Sequence, residues 1–252
     1  QYRWYIAGTA TWFYAQGVQT VMFTYLVTTV LQAPANQIGL AQTSLTLLSA
    51  AFMLLGGAVA DRLDRRRLLI LLHGLAGLPP LVLVLILWQG ALAYEWLIVY
   101  GLAIGLVTAF ILPAREATLG DVLGPDGHKG LQRAVTTMVA IQFLAQIAGM
   151  MLARFAALTG PEAIILSQVV AQCIGLWTAW RLNPLTHERP HDAIDEGSQW
   201  QRIRAGLSAV RASEALFPVT VLTLSIGVLF IGSFMVVLPV ILREEFGGDV
   251  GQ

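Results

Sequence analysis

The sequence predicts an all-α polytopic membrane protein. A six-helix bundle spans residues 1–182, a cytoplasmic linker spans 183–212, and 213–252 hold a seventh membrane helix that begins an incomplete second bundle. Three observations lead there. Only 12% of residues are charged and mean hydropathy is +0.69, whereas soluble domains are about 25% charged. The charges stand between long apolar runs: residues 4–60, 68–94, 96–114, 134–153, 163–180 and 215–242 contain no Asp, Glu, Lys or Arg. The runs are continuous, not alternating, which excludes barrel strands, and a helix of about 20 apolar residues crosses a hydrocarbon core about 30 Å thick.

The first run is long enough for two crossings, divided by the proline and polar residues of "QAPANQ" at 32–37. On helix one, at about 100° per residue, Trp12, Phe13, Gln16, Gln19, Thr20, Phe23 and Thr24 share a broad face. Its aromatic and neutral hydrogen-bonding groups suit the wall of a site for a small amphipathic organic solute. Polar packing between helices is the competing reading. Late in helix two, Gly56 and Gly57 are small enough for close helix approach, and "ADRLDRRR" follows at 60–67. Each charged residue costs about 2.5–3.5 kcal/mol at the membrane centre, so this segment lies outside the hydrocarbon, as a tight loop before helix three.

Helix three holds Pro79-Pro80, which should kink it, and His73, expected at the membrane interface near its inner end. Helix four carries the small-residue pattern "GLAIG" at 101–105, and helix five places Gln142 and Gln146 one turn apart as further cavity candidates. Helix six ends in Trp177 and Trp180, matching Tyr2, Trp4 and Tyr5 at the inner end of helix one, while Trp88, Tyr94 and Trp96 mark the outer turn. Such rings favour interfacial depth. The linker contains Pro184, Pro190 and Gly197, then an amphipathic helix over about 199–212 with Trp200, Ile203, Leu207 and Val210 on one stripe. Helix seven covers about 214–242.

Charge distribution orients the chain. With loops assigned alternately, one side holds Arg3, Arg62, Arg65, Arg66, Arg67, Arg115, Lys129, Arg133, Arg181, Arg189, Arg202, Arg204 and Arg211; the other holds Arg154 and Arg243. Basic residues stay cytoplasmic, so the N-terminus is inside a cell (inner) membrane. The lone Cys173 forms no intrachain disulfide, and the chain opens at Gln1, as if its natural start were missing. "HERPH" at 187–191 matches the H-E-x-x-H zinc-protease pattern, but Pro190 disfavours the helix that would align His187 and His191. No enzyme, metal, cofactor or nucleic-acid partner is expected. A seven-helix receptor would start outside, and a retinal protein needs a lysine in helix seven, whereas Lys129 is the only lysine.

"GGAVADRLDRRRLL" resembles the signature between helices two and three of the major facilitator superfamily, matched by Gly57, Asp61, Arg62, Arg65, Arg66 and Arg67. Asp64 stands where many members have glycine. "DRxDRRR" and "LPAREATLGDV" (112–122), with Arg115 at the inner end of helix four, look like the enterobactin-exporter-like and drug-efflux branch, as does "LPVILREEFG". A full member has twelve helices in two halves, so the resemblance covers a little over half of one. Of the exporters' Gly-Pro-x-x-Gly-Gly motif in helix five, "AQIAGM" keeps Gly149.

The resemblance implies a secondary transporter exporting amphipathic compounds, drug- or siderophore-like, by alternating access, with the charged loop latching the two halves. Asp61, placed by the sequence near the positive end of helix three, would help hold that latch. Plain positive-inside anchoring is the rival role for the loop. Glu95, Glu162 and Glu214 lie near helix ends and no carboxylate lies deep, so a proton-coupling group belongs to the missing half, or transport is facilitative. A facilitative or uptake carrier of the same fold, or a half-length membrane scaffold that moves nothing, are the alternatives.

Overall fold

The computed structural model describes residues 1–123, 131–183, 204, 208–213, 215–231 and 241. The chain divides into two units, residues 1–187 with 246–252, and residues 188–245. In the first, α1 (Tyr2–Tyr25) runs into a π-helical turn over Leu26–Val30. Gln32 takes a positive φ of 49° and Pro34 caps α2 (Ala35–Arg62). Then follow α3 (Arg65–Trp88), α4 (Tyr94–Leu123), α5 (Leu131–Ala153), a short turn at Ala156–Thr159 and α6 (Pro161–Trp180). Five of the helices are long and apolar enough to cross a membrane by length and composition. Within the second unit, α7 (Leu216–Ser225) continues as a π-helical segment, Ile226–Ile231, and 208–212 are helical. Apart from Arg204 and Ile241, the rest of the expected linker helix, "HERPH" and the end of helix seven lie outside the described residues.

Close approach between backbones organises the bundle. α1 packs on α5 and α6, and α4 packs correspondingly on α2 and α3, while α3 meets α6. The two triplets α1–α3 and α4–α6 therefore repeat one arrangement, the three-plus-three repeat known in transporter halves. Glycines make the matching crossings. A Cβ on Gly17 would overlap the Gln146 carbonyl, and one on Gly149 the Tyr14 carbonyl, so α1 and α5 touch backbone to backbone. Gly101 and Gly105 likewise admit Ser44 and Leu45 of α2, and Gly56 admits Ala109 of α4. With lipid tails as apolar as leucine, such packing holds membrane helices together in place of the hydrophobic effect. A Cβ on Gly57, expected to share that role with Gly56, would meet nothing within 4 Å among the described residues.

Two sequence expectations are corrected. The charged loop is only two residues long: Asp61 and Arg62 finish α2, Arg65, Arg66 and Arg67 begin α3, and extended Leu63 and Asp64 join them. Asp61 thus stands at the negative end of α2, not the positive end of α3. The N-cap of α3 is Asp64, whose carboxylate accepts the Arg67 N–H at 3.0 Å. An aspartate with extended backbone satisfies a free amide there as glycine cannot. Helix four also does not stop before "PAR"; α4 passes through Pro113 to Leu123, and at 30 residues it is about 45 Å long, outreaching the hydrocarbon. α3 likewise continues through Pro79 and Pro80.

Candidate functional site

The basic residues gather at one end of the bundle. The Tyr2 hydroxyl bonds the Ala134 carbonyl, Tyr5 bonds the Arg115 carbonyl at 3.1 Å, and Trp4 meets Trp177 edge to face at 5.0 Å. The start of α1 is therefore level with the ends of α4 and α6. Of the described arginines of the first unit, Arg154 alone falls on the α5–α6 turn at the other end, where Tyr94 bonds the Gln37 carbonyl.

Arg65 ties this end together. Its Nη1 donates to Asp121 Oδ2 at 2.6 Å and to the Ala117 carbonyl at 3.2 Å, and Nε reaches the Ala60 carbonyl at 3.3 Å. Asp61 lies 3.8 Å from its Nη2. One guanidinium therefore spans the ends of α2 and α4 from the first residue of α3. The pair with Asp121 is sheltered (side chains 10% and 21% exposed) whereas Asp61 is 73% exposed, so Asp121 is the stronger partner. Arg66 donates to the Trp180 carbonyl at 2.6 Å, closing the C-terminus of α6, and the side chains of Arg62 and Arg67 are exposed. Asp121 was missed because, 56 residues from Arg65, it looked like part of a loop; only extending the helical period through Pro113 would have pointed to it.

Further in is a buried polar cluster. Arg115, counted from sequence among loop charges, is buried inside the bundle; it donates to the Gly8 carbonyl at 2.9 Å and sits 5.7 Å over the Phe13 ring. Among the described residues no carboxylate lies within ion-pairing distance of it. His73 is buried between α1 and α6, its Nδ1 2.9 Å from Gln172 Oε1 and its ring edge-on to Trp12 at 6.1 Å. Gly175 gives that ring room. A narrow cleft with only about 10 Å³ of free space runs between Trp4, Tyr5, Leu69, His73, Arg115 and Thr178.

The helix-one face divides in two. Trp12, Gln19 and Phe23 turn inward: Phe23 stacks on Tyr100 at 5.9 Å, and Gln19 accepts from the Tyr100 hydroxyl at 3.4 Å, which also bonds Gln168. Phe13, Gln16, Thr20 and Thr24 stay partly uncovered. A face that broad meets neighbouring helices along one edge, which the helical wheel of one segment does not reveal. Thr20 and Thr24 bond carbonyls one turn back at 2.9 and 3.0 Å, and Gln42 donates to Thr24 at 3.1 Å. Gln146 sits at the α1–α5 crossing beside Gly17, with Gln142 one turn away. Among the described residues, the side-chain amides of Gln16, Gln142 and Gln146 have no hydrogen-bond partner.

Compared with known proteins, the chain matches the family model described as Major Facilitator Superfamily over residues 6–251. No curated protein and no solved structure matches it.

Proposed function

Taking as premise that the chain belongs to the major facilitator superfamily and is a multi-pass membrane transporter, we propose that it exports small amphipathic organic compounds by alternating access. It sits in a bacterial inner membrane with its N-terminus on the cytoplasmic side. The observation that carries this reading is the uncovered strip of Phe13, Gln16, Thr20 and Thr24, with the uncommitted amides of Gln142 and Gln146 nearby. Neutral donors and acceptors beside an aromatic ring select solutes with polar groups on an apolar body. A strongly charged solute would demand paired charges that this strip lacks.

The switch in this reading is the cluster at the ends of α2, α3 and α4. Arg65 and Asp121 form its fixed part; exposed Asp61 and Arg62, with Arg67 beside them, are its exchangeable part, able to change partners as the carrier rocks. A contact worth a few kcal/mol suits a switch between states of similar energy. Arg66 is committed to the end of α6, and Gly57 keeps the surface beside Asp61 clear.

A facilitative carrier is the second reading, favoured because no Asp or Glu among the described residues lies midway along α1–α6. Uptake of solute into inverted vesicles, with and without an imposed proton gradient, separates the two. Gradient-driven accumulation supports proton-coupled export. Equilibration alone supports the facilitative carrier, and no movement of any amphipathic solute ends both.

A further inference from the structure

Arg181 directly follows α6, and its guanidinium lies over three indoles: 5.1 Å from the Trp177 ring centre, 5.7 Å from Trp4 and 5.8 Å from Trp180. Trp4 and Trp177 also contact each other, so this platform joins the start of α1 to the end of α6. A guanidinium attracted to ring faces still carries its five N–H donors in its own plane. Among the described residues, the Arg181 guanidinium donates no hydrogen bond and has no carboxylate within ion-pairing distance.

Arg66 reaches the same helix end. Its Nη2 is taken by the Trp180 carbonyl, while its Nε is buried and has no partner. Two positive groups therefore converge on the last turn of α6 without an acidic side chain among the described residues. Trp177 and Trp180 beside them are 43% and 56% exposed. Indoles at the end of a membrane helix lie at headgroup depth. Ile174 and Val170, three and seven residues before Trp177, continue an exposed apolar stripe toward the membrane interior.

We propose that the end of α6 is a binding site for one anionic phospholipid, its headgroup phosphate held by Arg66 and Arg181 and its acyl chains lying along Trp177, Ile174 and Val170. Charge complementarity selects the occupant. Guanidiniums at headgroup depth with no carboxylate partner among the described residues attract a phosphate diester of net negative charge, whereas a zwitterionic headgroup brings a cation of its own to the same place. The surrounding indoles keep Arg181 in position, so little side-chain freedom is lost when lipid binds. The inference needs only that these helices span a bilayer; it does not depend on solute or direction of transport.

The test reconstitutes the purified chain into vesicles of equimolar phosphatidylglycerol and phosphatidylcholine, extracts it gently and counts retained lipids by native mass spectrometry. Wild type should retain phosphatidylglycerol in preference. Arg66→Gln and Arg181→Gln should each weaken that retention about fivefold, with helicity by circular dichroism and phosphatidylcholine retention unchanged. Arg154→Gln, at the other end of the bundle, should keep the preference, and millimolar inorganic phosphate should not displace the lipid. Equal retention of both lipids by wild type would overturn the site. So would undiminished preference in a well-folded Arg181→Gln protein, an equal loss in Arg154→Gln, or displacement by phosphate. Transport is not the readout, so failure here is distinct from failure of the exporter reading.

Discussion

Arg65 and Asp121 meet at 2.6 Å across the ends of α3 and α4, both largely sheltered from solvent. The same guanidinium touches the last turn of α2 through the Ala60 carbonyl. Three helix ends thus depend on one cation whose main partner is on a distant segment, and the exposed Asp61 is a lesser one.

That hierarchy separates two aspartates. Asp121→Ala leaves a sheltered arginine half-satisfied and should lower stability by about 1–3 kcal/mol. Asp61→Asn should leave stability within about 0.5 kcal/mol yet cut transport sharply with insertion intact. Thermal unfolding in detergent and vesicle transport check both; an Asp61→Asn protein transporting at the wild-type rate disproves the switch.

The division of the α1 face predicts opposite phenotypes one turn apart. Gln16→Ala should raise KM for solute without altering the melting temperature. Gln19→Ala should lower the melting temperature, because it strips a partner from the buried Tyr100–Gln168 group. Similar effects from both substitutions would contradict the division.

Arg115 is a buried cation facing a carbonyl and a ring, not a carboxylate. Exchanging buried ionic groups for apolar side chains of similar volume is often neutral or stabilising when no partner charge is left behind. Arg115→Met should therefore yield a folded bundle at least as stable as wild type, with transport lost if the cation serves the cycle. A melting temperature that falls steeply would show instead that the charge holds the helices together.

Backbone contact at the α1–α5 crossing predicts intolerance to bulk. Gly17→Val or Gly149→Val should cost about 1–3 kcal/mol or more, seen as loss of the monodisperse peak in size-exclusion chromatography. Gly57→Ala, with open space around it, should elute as wild type.

Topology is open to a direct check. In a Cys173→Ser background, a cysteine at position 64 should react with impermeant maleimide only after cells are opened. Labelling in intact cells would invert the proposed orientation.

Much of the fold is legible in the one-dimensional distribution of charge. The price of ionised groups in hydrocarbon is large and local, so runs such as 68–94 reveal a helix without knowledge of its neighbours. The alternation that puts Arg3, Arg133 and Arg181 at one end was readable for the same reason. Asp64 was visible as a departure from a family pattern and Gly149 as the kept residue of one, though one's work as a helix cap and the other's at a helix crossing were not.

Partnership could not be read that way. Residues 60–67 announced themselves as charged, but which cation is held and which is left exposed depends on Asp121 and on the carbonyls of Ala117 and Trp180, brought close only by helix packing. Arg115 and His73 have the same letters whether they face headgroups or a bundle interior, and Gln16 and Gln19 share one helical wheel. Solvation cost acts on each segment separately and is written in the sequence. Which side chains are covered and what they bond depend on helices from distant parts of the chain, and tertiary structure alone decides them.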